Sequence, residues 1–265
     1  MIINFGSLNI DKVYGVKDIV KEGETIFAST LETFTGGKGL NQSVAAARSG
    51  GSVLHAGSVG PDGAWLEDYL KESGVDVSRM NHTEVSTGHA IIQVNEKGQN
   101  SIIVFGGANQ ELTRSYIDSI LDATEKGDFV LLQNETNEIP YILSEAHRRG
   151  LQTVWNPSPF PEKIASYPTE DVDYFIVNEM EGAALAGGMG ASYEETLAKM
   201  VEKYPNATIV MTLGGDGSLC YHEGRTYFQP IYQVSAVDTT AAGDTFCGYF
   251  LSLLSGGKPI EECLR

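Results

Sequence analysis

Along the chain, short apolar runs rich in β-branched residues alternate with stretches of helical period. The runs are "IINFGS", "SVLHAGSVG", "DFVLLQNE", "TVWNP", "DYFIVNE" and "TIVMTLGG"; the helical stretches cover about 40–49, 64–73, 115–123, 139–149, 193–204 and 242–254. Strand and helix taking turns predicts an α/β fold: a central, mostly parallel sheet covered by helices on both faces, a three-layer αβα body. Most of the predicted strands end in Gly, Asn or Asp, at the edge where open α/β sheets gather their ligands.

Two segments break this rhythm, at about 12–34 and 88–105. Neither has helical period, and "HAIIQVNEKGQNSIIVF" reads as a strand, a polar Gly-containing turn and a second strand. They predict a small β-sheet made of two insertions, placed as a lid over the strand ends or as a dimerisation surface. The closing "GGKPIEECLR" reads as a turn and the first turns of a further helix. Nothing follows to cover that helix, so the expectation is one domain over 1–265 that lacks its C-terminal segment.

Composition narrows the partners. A formal charge of -17 over 265 residues disfavours nucleic-acid backbones and anionic membranes, which both select basic surfaces. A phosphate ligand would have to be held locally, by backbone N–H groups, a helix N-terminus or a metal ion. The three cysteines follow neither metal nor redox spacing and predict buried free thiols in a reducing compartment. There is no basic n-region with a long h-region at the start, and no run of about 20 apolar residues. A cytoplasmic protein is expected.

Two short stretches carry candidate chemistry. In "FTGGKGLNQSVAAARSG" three glycines flank Lys38 ahead of an alanine-rich helix, which lets a ligand approach bare backbone and the helix's first N–H groups. It lacks both the Gly-Lys-Ser/Thr ending of a Walker A loop and the spacing of a dinucleotide fingerprint. By itself such a turn also reads as packing. In "TTAAGDTF" small residues can bring several N–H groups to one point at a helix start, with Asp244 in the first turn. Alone, that acid reads as a partner for the helix dipole. With a hydroxyl substrate beside it, it is a general base next to an anion hole, the equipment of phosphoryl transfer.

Together the Gly-Gly-Lys-Gly-x-Asn element and the Asp-Thr-x-Ala-Ala-Gly-Asp element resemble the two signatures of the ribokinase-like (PfkB) family of carbohydrate kinases. The likeness runs through nearly the whole chain: "GSLNID", "GET", "STG", "GGAN", "NPSP", "VNE" and "TLGGDG" stand in the family's order. It implies transfer of the γ-phosphate of MgATP to the primary 5-hydroxyl of D-ribose. Asp244 would be the base, and the N–H groups of Ala241, Ala242 and Gly243 would receive the phosphoryl group. Many members have Gly where this chain has Ala241.

By the same resemblance the sugar would be held by Asn9, Asp11, the Gly37 and Lys38 backbone, Asn41 and Glu135. Asn178 and Glu181 would organise Mg2+ and phosphate through water, and Thr212, Gly214 and Gly217 would receive the nucleotide. Asp238 and Thr240 match half of a monovalent-cation site, implying K+. A homodimer through the β lid is a further expectation of the family. Two alternatives stay open: a kinase of this family for another sugar, a sugar phosphate or a nucleoside, and a non-catalytic sugar-binding or regulatory protein with an incomplete nucleotide site. His55, His89, Trp65 and Trp155 lie apart from these motifs and read as structural.

Overall fold

Each continuous apolar run becomes a strand of one sheet in the computed structural model, which describes residues 1–161, 164–234 and 239–265. The first half of the chain forms β1 (Ile2–Phe5), β2 (Asn9–Val16), β3 (Thr30–Gly36), α1 (Lys38–Arg48), β4 (Val53–His55), β5 (Ser58–Val59) and α2 (Ala64–Glu72). It continues through β6 (Asn81–His82), β7 (Gly88–Asn95), β8 (Asn100–Phe105), α3 (Arg114–Leu121), β9 (Phe129–Leu132) and α4 (Ile139–Arg148). The second half adds β10 (Gln152–Trp155), β11 (Tyr174–Asn178), α5 (Glu179–Ala186), α6 (Tyr193–Lys203), β12 (Thr208–Thr212), β13 (Ser218–His222) and β14 (Arg225–Gln229). Two helices close it, α7 (Ala242–Ser255) and α8 (Ile260–Cys263).

The central sheet has the order β14-β13-β12-β11-β10-β9-β1-β4. Strands β4 through β12 in that order pair in parallel, whereas β13 and β14 add an antiparallel edge. That hairpin turns at Glu223 and Gly224, both with positive φ, as a tight two-residue turn demands. Successive strand residues face opposite layers. Ile3, Val130, Trp155 and Phe175 pack under α3, α4, α5 and α6, while Ile2, Leu131, Val154 and Ile176 pack under α1, α2, α7 and α8. The expected three-layer body is therefore present. Trp155 lies wholly inside one core, stacked on Tyr167 at 5.2 Å, and truncating so large a buried ring typically costs about 3–5 kcal/mol. Trp65 differs from expectation: it sits at the start of α2, 38% exposed, and contributes little to the core.

The two insertions form the expected separate sheet, in the order β3-β2-β7-β8, with β2 and β7 parallel and the outer pairs antiparallel. The first insertion begins earlier than the loss of helical period suggests, at Asn9. The root of this small sheet, the expected lid, therefore carries two of the expected sugar-binding residues, Asn9 and Asp11. Its outer strand leaves all of 102–105 exposed, and Leu31 and Phe34 are exposed as well. All three cysteines are buried and free, as their spacing implied. Among the described residues no helix is long and apolar enough to cross a membrane.

Close packing of α1 against α7 is what brings the two motifs together. Gly248 makes it possible, because a Cβ there would lie 2.6 Å from the Cβ of Ala45 and from the carbonyl oxygen of Gln42. Small residues on both helices thus set Asn41 and Gln42 directly against the first turn of α7.

Candidate active site

Asp244 is the third residue of α7 and only 6% exposed. A carboxylate buried to that degree needs donors, and both come from α1: Gln42 Nε2 reaches Oδ1 at 2.9 Å and Asn41 Nδ2 reaches Oδ2 at 3.2 Å. The helix in front of it starts on Ala241, held in the left-handed region at φ 58 with no side-chain cap. Glycine adopts that conformation without steric cost, which gives a physical reason for the glycine many members of the resembled family carry there. The Ala242 N–H donates to Thr239 O at 3.1 Å and the Thr245 N–H to Ala241 O at 2.8 Å. Of the three N–H groups expected to receive a phosphoryl group, that of Ala242 is thus turned to a carbonyl. Gly243 and Asp244 start the helix with neither an intrahelical partner nor a cap among the described residues.

Beside this helix start lies a cleft of about 180 Å³ lined by Lys38, Asn178, Glu181, Thr212, Gly243 and Asp244, among others. A second cleft of about 320 Å³ opens on its far side, past Thr212, Gly214, Gly217, Tyr232, Gly243 and Phe246. Thr212, Ala242 and Gly243 line both. The helix N-terminus, where an anion gains from the dipole and free donors, therefore stands between the two. A polar compartment holding the Asp244 carboxylate lies on one side and a wider, more apolar one on the other.

Of the residues expected to hold the sugar, the structure brings Asn9, Asp11, Gly37, Lys38 and Glu135 together. Gly37 turns the chain into α1 at φ 94. Glu135 Oε2 accepts from the Lys38 N–H at 2.9 Å and from the Ser7 hydroxyl in a short hydrogen bond. The carboxylate expected to meet a ligand is here engaged with α1's first donor. Asn9 Oδ1 accepts from Asn109 Nδ2 at 2.8 Å, and Asn109 also clamps the Leu8 backbone. Asp11 has no side-chain hydrogen bond among the described residues. Burial, aided by the neighbouring Glu135 charge, pushes its carboxyl up to about 6.

Asn178 and Glu181, expected to organise Mg2+ and phosphate, close a capping box on α5. The Asn178 side chain accepts from the Met180 and Glu181 N–H groups at 3.0 and 2.8 Å, and Glu181 Oε2 accepts from the Asn178 N–H at 3.0 Å. Glu181 is 7% exposed and lines the polar cleft. No cluster of three His, Cys, Asp or Glu that could cage a metal occurs among the described residues. One acidic oxygen donor facing a phosphate-sized cleft fits Mg2+, which keeps most of its waters and is held largely by substrate phosphates. Thr240 is in the turn before α7. Asp238, the other expected K+ ligand, lies outside the described residues.

Sequence reading missed the polar residues beneath Asp244. Asn4, Gln42 and Gln133 are buried, and their one signal was an amide inside or beside an apolar run, in "IINF", "VLLQN" and "LNQSVAAA". His55 has the structural place expected of it, bonded to Ser43 Oγ at 2.8 Å and to Gly6 O at 3.2 Å. Burial lowers it to about 4, so it is neutral. His89 packs on Phe105 in the lid.

Comparison with known proteins bears on this geometry. The family described as pfkB family carbohydrate kinase matches residues 1–265. A ribokinase of Staphylococcus aureus (strain COL) is 35% identical over 268 residues, covering 96% of this chain and 86% of that protein. A deoxyribokinase of Salmonella typhi is 31% identical over 269 residues, covering 98% and 87%. Among solved structures, Arabidopsis thaliana ribokinase complexed with ribose and ATP superposes with a TM-score of 0.86 at 28% identity, covering 100% of this chain and 88% of that one. Two signature elements meeting at one helix start, a family match from end to end and relatives aligned over nearly their whole length agree: the chain belongs to the pfkB family of carbohydrate kinases.

Proposed function

We propose that the protein is an ATP-dependent ribose kinase that moves the γ-phosphate of MgATP to the primary 5-hydroxyl of D-ribose. The observation that carries this reading is Asp244, buried at an uncapped helix start between a polar cleft and a nucleotide-sized one. Asp244 Oδ2 takes the hydroxyl proton as the sugar oxygen attacks the γ-phosphorus in line, and the bond to the β-phosphate oxygen breaks to leave ADP. The Gly243 N–H and the dipole of α7 stabilise the charge on the transferring group, joined by Ala241 and Ala242 where the preceding turn opens. Lys38, in the same cleft, adds positive charge. Mg2+ at Glu181, through water and with Asn178 orienting that carboxylate, would neutralise the nucleotide phosphates.

Asn9, Asp11, the Gly37 and Lys38 backbone, Asn41 and Glu135 hold the sugar hydroxyls. Each offers donors or acceptors whose loss a buried hydroxyl would not tolerate. Thr212, Gly214 and Gly217 take the nucleotide, and Asp238 with Thr240 contributes to a K+ site. ATP as donor and three reduced, buried thiols suit the cytoplasm. The exposed apolar strand of the lid, 102–105, suits a homodimer formed through it. A monomeric mass at micromolar concentration would remove that part of the proposal.

ATP turnover with ribose tests the function, measured against 2-deoxyribose, fructose, adenosine and no sugar, with and without potassium. Turnover with a kcat/KM for ribose at least about tenfold above the others is expected. A higher value for 2-deoxyribose or adenosine would move the assignment to that acceptor, and saturable ribose binding without turnover would favour a sugar-binding protein.

A further inference from the structure

Beneath Asp244 runs a line of buried side-chain amides that phosphoryl transfer does not itself require. One end of an amide only donates and the other only accepts, so a backbone carbonyl at the end of such a line fixes every member. Gly39 O accepts from Asn4 Nδ2 at 2.8 Å. That leaves Asn4 Oδ1 to accept from Gln133 Nε2 at 3.0 Å, and the same Nε2 donates to Gln42 Oε1 at 2.7 Å. Gln42 must then present its Nε2, which reaches Asp244 Oδ1 at 2.9 Å.

Two side branches agree on this direction. Asn4 Nδ2 also donates to Ser43 Oγ at 2.8 Å; Ser43 meets Nδ1 of the neutral His55 at 2.8 Å, whose Nε2 faces Gly6 O at 3.2 Å. On the other side Ile176 O accepts from Asn156 Nδ2 at 2.8 Å, leaving Asn156 Oδ1 to accept the second proton of Gln42 Nε2 at 3.0 Å. Three carbonyls that cannot donate thus set the orientation of four amides. Gln133 gives away its N–H groups while its Oε1 has no partner among the described residues. That unpaired acceptor costs stability, and the donation is retained in spite of it.

We infer that Gln42 is a positioning residue, oriented by Asn4 and Gln133, that holds Asp244 by Oδ1 as a fixed acceptor and turns Oδ2 toward the substrate hydroxyl. Asn41 Nδ2, the longer contact at 3.2 Å, is the partner a sugar hydroxyl would replace at Oδ2. The other ionisable groups around this carboxylate are Lys38 and Glu181 in the same cleft and Cys247 one turn along α7. Among the side chains bonded to Asp244, both are neutral amides, so the hold itself does not titrate. The inference rests on Asp244 being the base.

Gln42→Glu tests it, because the shape is kept while the donor becomes a second carboxylate against Asp244. Two facing carboxylates share a proton, so the acid limb of kcat should move up by about one pH unit or more. kcat at pH 7 should fall about 10- to 100-fold with the ribose KM within about threefold. A packing role would lower Tm without moving the pH profile. Gln133→Met guards against misfolding of that variant: it removes the donor that orients Gln42 without adding charge, and kcat should fall about tenfold at unchanged ribose KM. Wild-type kcat and an unmoved acid limb in Gln42→Glu, or unchanged kcat in Gln133→Met, would overturn the inference. If the unmodified protein turns over no acceptor, the assignment of the base fails separately. The hold is then decided by carboxyl 13C titration of Asp244, assigned with Asp244→Asn: an upward shift in Gln42→Glu supports it and an unmoved titration overturns it.

Discussion

Of the helices that carry an acid at their third residue, α5 and α7 use it in opposite ways. At the start of α5, Glu181 bends back to the Asn178 N–H while Asn178 caps two donors in return, so the helix end is closed by its own residues. At the start of α7 there is no cap, the chain enters through a left-handed alanine, and Asp244 is held sideways by amides from α1. An N-terminal acid that completes its helix needs only local sequence. One kept apart from its helix needs a second element to hold it, and α1 exists in that position because Gly248 lets it come close. What each acid's surroundings contribute to stability differs along this line, which mutation can test.

The largest effect is expected at the open end. Asp244→Asn should lower kcat by about 10²–10⁴ with little change in ribose affinity, since a general base typically contributes that much. Its unfolding free energy should change little, because Gln42 still finds an acceptor. At the closed end stability changes more. Asn178→Ala removes the acceptor for two backbone donors and should cost about 1.5 kcal/mol in chemical denaturation. If Asp244→Asn proved the more destabilising and kept near-normal turnover, the contrast between the two helix starts would be lost.

How much of this the sequence disclosed follows the same division. Strands and helices of the body were legible because burial on both faces leaves continuous apolar runs and amphipathic periods. Helix α5 was less so, since "EMEGAALA" sets two acids in its first turn and small or apolar residues after them, and presents no stripe. The β13–β14 edge was obscured for a related reason: its strands mix Tyr, His, Arg and Gln with apolar residues. Motif residues such as Asp244, Lys38 and Asn178 stood out by pattern. Asn4, Gln42 and Gln133 did not, because nothing local shows that three amides on β1, α1 and just past β9 meet in one line. Only the packing of α1 over β1 and β9 makes them one device.

A third acid sharpens the comparison from the lid. Asp11 has neither a helix to cap nor a neighbouring donor among the described residues, and burial with Glu135 nearby raises it to about 6 from 3.8. The folded state then binds more protons than the unfolded chain between about pH 4 and pH 6, so Asp11 lowers stability as pH rises through that window. Its partial exposure limits the effect to about 1 kcal/mol. Without sugar, Asp11→Asn should flatten the fall in unfolding free energy between pH 4.5 and 6.5 and gain about 1 kcal/mol at pH 7, with weaker ribose binding. An unchanged pH dependence would mean that Asp11 is solvated enough to stand as an ordinary surface acid.

The smallest effect isolates the backbone of the open end from its chemistry. Ala241 holds φ 58, a region that costs a residue with a Cβ about 1 kcal/mol. Glycine removes that strain while adding freedom to the unfolded chain, so Ala241→Gly should stabilise by a few tenths of a kcal/mol. The same change at Ala183, inside α5, should cost about 1 kcal/mol, because there the backbone is helical and glycine only loses entropy. Opposite signs in paired denaturation curves would show that α7 starts on a strained turn while the backbone of α5 is relaxed. Equal losses would place the Ala241 backbone in an ordinary conformation in solution, and the N–H groups ahead of Asp244 would then lack the turn that gathers them.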